Sequence, residues 1–177
     1  MKIAILGWGS LIWNPEILKF DKKYDWNKKG PILPIEFSRI SRNGRLTLVI
    51  SENGSNVQTL YAYSSENTLD GAVQNLRKRE GTTIANIGSY AKVTEQFSPS
   101  NFEFKQNILD WINDKEIDAV IWTNLSENWD SFTQNRIEYL NSLENETKQL
   151  AKEYIVKTPE QIKTNLRKQI EKELNWN

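Results

Sequence analysis

Apolar and polar residues recur with two periods along this chain, short alternations or runs that predict strands and longer three-to-four spacings that predict helices. The short runs come first. Residues 2–6 form an apolar, partly β-branched segment closed by Gly7, which reads as a buried strand. Residues 21–30, rich in Lys and Asp, read as a solvated loop. Residues 35–42, 45–51 and 57–64 read as three successive strands. The pairs Asn43-Gly44 and Asn53-Gly54 between them carry the signal of tight hairpin turns, so an antiparallel meander is expected.

From residue 66 the period lengthens. Leu69, Ala72, Val73 and Leu76 fall on one helical face over residues 66–79, and Gly81 stops the helix. Residues 87–96 predict a strand, residues 102–112 a helix, and the nearly continuous apolar run 118–123 a strand covered on both faces. The remainder, 127–176, is helical in character. Trp129, Phe132, Leu140, Leu143, Leu150 and Tyr154 recur over what read as two helices meeting near Asn145. A last helix is predicted to start with Thr158 as N-cap, Pro159 first and Gln161 three on from the cap. Ile162, Leu166, Ile170 and Leu174 give it one apolar stripe. Neither repeat nor linker is visible, so residues 1–177 read as a single domain.

Composition narrows the chemistry. The chain has no Cys and no His, which excludes disulfides, thiol nucleophiles, histidine triads and imidazole or thiolate metal sites. Catalysis would have to run on carboxylates, hydroxyls, Lys, Arg and backbone amides. Twenty-three basic residues balance 23 acidic ones, so neither a nucleic acid nor a membrane surface is the expected partner. A small molecule is. No segment reaches the roughly 18 apolar residues of a membrane helix, and the N-terminus lacks a signal-peptide pattern, so a cytoplasmic location is expected.

The richest stretch is Gly7, Trp8, Gly9, Ser10, Leu11, Ile12, Trp13, Asn14 and Pro15, directly after the first strand. Glycines at a strand end let backbone N–H groups approach an anion. A dinucleotide fingerprint fits poorly, since its third glycine would fall at Ile12 and Pro15 disfavours a helix right behind the loop. A second element is Arg79, Glu80 and Gly81, where the 66–79 helix ends. Helical spacing places Glu80 nearer Leu76 and Arg77 than Arg79. On the strand over 35–42, Arg39 is a candidate to bind a substrate carboxylate, against the alternative of a solvated strand face.

Together the loop and the Arg-Glu-Gly helix end resemble the γ-glutamylcyclotransferase superfamily, most closely its ChaC-like branch, over about the first 96 residues. That branch carries Gly-Tyr-Gly-Ser-Leu-Ile-Trp after its first strand, with Trp8 here in place of the Tyr. The resemblance implies an α+β fold, a small mixed β-barrel or sheet with flanking helices and a helical C-terminal region. It implies release of 5-oxoproline from a γ-glutamyl amine or peptide, with no metal and no cofactor. Glu80 is then the catalytic acid/base, taking the proton of the substrate ammonium and returning one to the leaving amine, a role worth about 10²- to 10⁴-fold in rate. Gly7, Trp8, Gly9, Ser10 and Leu11 would bind substrate, the amides of Gly9, Ser10 and Leu11 holding its carboxylate or the developing oxyanion. The alternatives are a non-catalytic binder of a small molecule or peptide, and an adaptor working through its C-terminal helices.

Overall fold

The structure, a computed structural model, describes residues 1–130 and 135–177. Among these the strands are β1 (Ile3–Gly7), β2 (Ile32–Ile40), β3 (Leu46–Ile50), β4 (Ser55–Gln58), β5 (Leu60–Tyr63), β6 (Ile87–Ala91), β7 (Gln96–Ser98) and β8 (Ala119–Thr123). The helices are α1 (Leu69–Glu80), α2 (Lys105–Ile112), α3 (Arg136–Ser142), α4 (Asn145–Lys157) and α5 (Asn165–Leu174). The class is α+β, with a mixed sheet. Contacts divide the chain into two units, one of Met1–Gly7, Asn14–Leu33 and Gln58–Leu125, the other of Trp8–Trp13, Pro34–Val57 and Ser126–Asn177.

The first unit is built on a five-stranded sheet in the order β5-β1-β8-β6-β7. β1 runs parallel to β8 and antiparallel to β5, and β8 is antiparallel to β6. All five residues of β1 are buried, as are Ala119, Val120, Ile121 and Trp122 of β8, which explains why both read as unbroken apolar runs. Helix α1 lies against β6 and β8, burying Ala72, Val73 and Leu76. Trp122 is opposite Gly88 in the ladder, and its indole fills the space a side chain at Gly88 would need. Aromatic rings of Phe97 and Phe102 complete that cluster, the latter 4.7 Å from Trp122.

The second unit carries a three-stranded sheet, β3-β2-β4. Gly44, at φ 72°, makes the β2–β3 hairpin in the left-handed conformation that the Asn-Gly pair favours. Helices α4 and α5 each pack against α3. Buried Ile162, Leu166 and Ile170 show that the apolar stripe read near the C-terminus is covered by the chain's own residues.

Several expectations are corrected. No meander forms, because the chain leaves β3 through Gly54 and joins the far edge of β2. A Cβ at Gly54 would stand 2.8 Å from Ile35 N, so this glycine serves a close crossing over β2. The predicted strand 57–64 divides at buried Thr59, whose N–H and Oγ1 both bond the Pro31 carbonyl at 3.0 and 2.7 Å, and its halves enter different sheets. The predicted strand 87–96 is likewise a hairpin arm, β6, with β7 returning from Gln96. Thr158 ends α4 rather than starting a helix, its N–H and Oγ1 both donating to the Tyr154 carbonyl; Thr164 is the N-cap, accepting from Arg167 N at 3.1 Å. Trp129 precedes α3 rather than lying in a helix, and Phe132 lies outside the described residues. Neither sheet closes on itself, so among the described residues the barrel form of the expectation gives way to open sheets. Among the same residues no helix is long and apolar enough to cross a membrane.

Candidate functional site

The glycine loop leaves β1 at Gly7, which still pairs with Leu60 and belongs to the first unit. Trp8, Gly9, Ser10 and Leu11 belong to the second. Ile12 N–H donates to the Gly9 carbonyl at 3.1 Å, closing a four-residue turn. Trp8 is 5% exposed and donates from Nε1 to the Leu48 carbonyl at 3.3 Å, and Leu11 is also buried. The two large side chains are therefore anchors; Gly7 and Gly9 are buried with them, and Ser10 is the one partly exposed residue of 7–11.

Gly9 is glycine for a visible reason. A Cβ there would overlap the Tyr154 hydroxyl and lie 3.4 Å from its Cζ. Tyr154 projects from α4, 6% exposed, and its oxygen accepts from Leu48 N at 3.4 Å. Trp13 meets the ring edge-on with centroids 5.3 Å apart, and Phe37 does so at 6.3 Å. Arg45 lies over the same ring, its guanidinium carbon 5.7 Å from the centroid. Loop, β3 and α4 thus meet at one phenol.

Glu80 is the last residue of α1, in the first unit. Gly81 follows at φ 59°, its N–H bonding the Lys78 carbonyl at 3.2 Å, which is the helix stop that the sequence predicts. A carboxylate at a helix C-terminus faces the negative end of the dipole and needs a compensating cation. Arg79 provides it: Nη1 donates to Glu80 Oε1 at 2.5 Å, with the two side chains 7% and 14% exposed. This corrects the expectation from helical spacing, because at the final turn the long arginine folds back onto its immediate neighbour. The other arm of Arg79 donates from Nη2 to the Asn14 carbonyl at 2.7 Å. Asn75, one turn earlier on the helix, accepts from Lys19 N and donates to the Ile17 carbonyl. The polar face of α1 thus fastens the segment that follows the glycine loop.

Arg39 donates from Nη1 to the Ser126 carbonyl at 2.5 Å. It sits just past a bulge at Ser38, whose carbonyl accepts from the amides of Asn128 and Trp129. Its role here is to hold the chain after residue 125 along β2. A separate open groove of about 380 Å³ lies at the N-terminal half of α1, lined by Leu69, Asp70, Val73, Ile84, Ile87 and Ser89; none of the candidate residues borders it.

Tyr154 and Arg45 were not identifiable from local pattern. Tyr154 read as one member of a helical apolar series and Arg45 as the start of a strand, and their meeting with the loop is made by tertiary packing alone. No protein-family model, no curated protein and no solved structure matches the chain.

Proposed function

We propose that this protein is a γ-glutamylcyclotransferase-like enzyme that releases 5-oxoproline from a γ-glutamyl amine or peptide. In the proposed reaction the substrate's α-amino nitrogen attacks its own γ-carbonyl, a five-membered lactam closes, the γ-amide C–N bond breaks, and the leaving nitrogen departs protonated. Glu80 accepts the ammonium proton and returns one to the leaving amine. Because nucleophile and electrophile share one molecule, holding it curled supplies much of the acceleration. The loop at 8–11 is the anion cradle of this proposal.

One observation carries the reading. Glu80 is a largely enclosed carboxylate, 14% exposed, on a helix end whose Arg79 is bonded to Asn14, a residue of the Gly7-to-Pro15 motif. Arg79 thus joins Glu80 to the tail of that motif within the first unit. In a chain without His or Cys, such a carboxylate is a suitable proton carrier. The same salt bridge favours a second reading, a non-catalytic binder, in which Glu80 serves only to neutralise Arg79. Incubation with a panel of γ-glutamyl peptides and γ-glutamyl amines, with 5-oxoproline measured by mass spectrometry, separates the two. Product from any member supports the enzyme; none from the whole panel leaves the binder.

A further inference from the structure

Helix α1 lies against β6 and β8, and beside its N-terminal half the surface opens into a groove of about 380 Å³. The residues that line it all belong to the first unit. Val73 and Ile87 give it buried hydrocarbon walls, and Ile84 adds an apolar side chain that is 52% exposed. Ser89 and Ser98 stand directly opposite each other in the β6–β7 ladder, so their side chains share one face of the sheet, and both border the groove. Ser89 is 9% exposed, yet its hydroxyl makes no hydrogen bond to a described residue. An enclosed hydroxyl without a protein partner, at the wall of an open groove, is an acceptor placed for a ligand atom.

Asp70, in the first turn of α1, is the one ionisable side chain of that lining among the described residues. No cation pairs with it among them. Nor is it taken up as a helix cap, since Thr68 Oγ1 accepts the Gly71 N–H at 3.1 Å. Its full negative charge outweighs the roughly half positive charge of the helix end. The groove thus joins a carboxylate and two hydroxyl oxygens to hydrocarbon walls, the complement of an ammonium with three N–H donors on an aliphatic body.

We propose that this groove binds a small aliphatic primary amine, its ammonium donating to Asp70, Ser89 and Ser98 and its chain lying on Val73, Ile84 and Ile87. None of these residues has a part in the cyclotransferase reading, so the two stand or fall separately.

The test is calorimetric titration of the full chain with hexylamine, hexan-1-ol and methylamine near pH 7, where alkylamines are protonated. Wild type should bind hexylamine at least about tenfold more tightly than the alcohol, because hydrogen bonds to charged groups exceed neutral ones by that much. Methylamine, which has the charge without the chain, should bind at least about tenfold more weakly than hexylamine. Asp70→Asn should equalise amine and alcohol while moving the thermal midpoint by at most about 4 °C. Ser89→Ala should weaken hexylamine about two- to tenfold, and it locates the site should the Asn variant fail to fold. Equal binding of amine and alcohol by wild type, binding of neither, or methylamine as tight as hexylamine would overturn the proposal. So would an amine preference that survives Asp70→Asn, or a hexylamine affinity that Ser89→Ala leaves unchanged.

Discussion

Replacing Gly9 by Ala places a methyl closer than 3.0 Å to the Tyr154 hydroxyl, inside any tolerated contact. The ring has little freedom to yield. It is 6% exposed, with Trp13 edge-on at 5.3 Å, Phe37 at 6.3 Å and Arg45 over its face at 5.7 Å. Overpacking of this kind costs about 1–3 kcal/mol, or about 2–12 °C in Tm at this chain length. Removing the phenol oxygen alone, in Tyr154→Phe, loses the long 3.4 Å bond from Leu48 N, worth about 0.5–1 kcal/mol. In the double variant the oxygen is gone and the next atom, Cζ, stands at an ordinary 3.4 Å from the new methyl. The double variant should therefore be more stable than the sum of the two singles implies, by about 1 kcal/mol or more. Urea unfolding of the four proteins, followed by Trp fluorescence, measures the coupling. Strict additivity would refute the contact between loop and helix on which the description of the second unit rests.

Two further outcomes are expected. Gly88→Ala forces a methyl within 2.6 Å of Trp122 Cζ2 in the middle of the five-stranded sheet, and should destabilise by about 3 kcal/mol or leave no soluble protein; a loss under about 1 kcal/mol by urea titration contradicts the cross-strand packing. Tyr61 is pushed up to about 12 from the ordinary value of 10, first by burial and then by its hydrogen bond to Tyr63. The unfolded phenol ionises lower than the folded one, so this residue's contribution is intact below pH 10 and fades as pH rises toward 12. Ultraviolet titration should show a phenol ionising near 12 that Tyr61→Phe removes; an unchanged curve in that variant contradicts the assignment.

Much of the fold was legible because local and tertiary demands agreed. β1 and β8 are apolar on both faces because both lie inside the sheet, and α1 ends where Gly81 permits a left-handed residue. Failures occur where a distant contact decided the matter. The segment around Thr59 has strand character throughout, yet bonds to Pro31 divide it between two sheets. The Thr158-Pro159 pair has every mark of a helix start, but Thr158 is bound to the carbonyl of Tyr154 and closes the helix before it. Asn53-Gly54 looks like a second hairpin, whereas Gly54 is needed for a crossing over β2. The candidate chemistry divides in the same way. The motif residues Gly7 to Leu11 and Glu80 are visible as words in the sequence. The pairing of Arg79 with its chain neighbour Glu80 is a side-chain conformation that no residue pattern encodes, and Tyr154 against Gly9, with Arg45 over its ring, emerges only when segments far apart in the chain are packed together.

The catalytic assignment of Glu80 is tested most directly by Glu80→Gln. The amide keeps the shape of the side chain and an oxygen for Arg79 to bond, while removing the capacity to carry a proton between amines. With a γ-glutamyl substrate turned over by wild type, the variant should release 5-oxoproline at least about 10²-fold more slowly, with its circular dichroism unchanged. A variant that retains the wild-type rate would contradict the account.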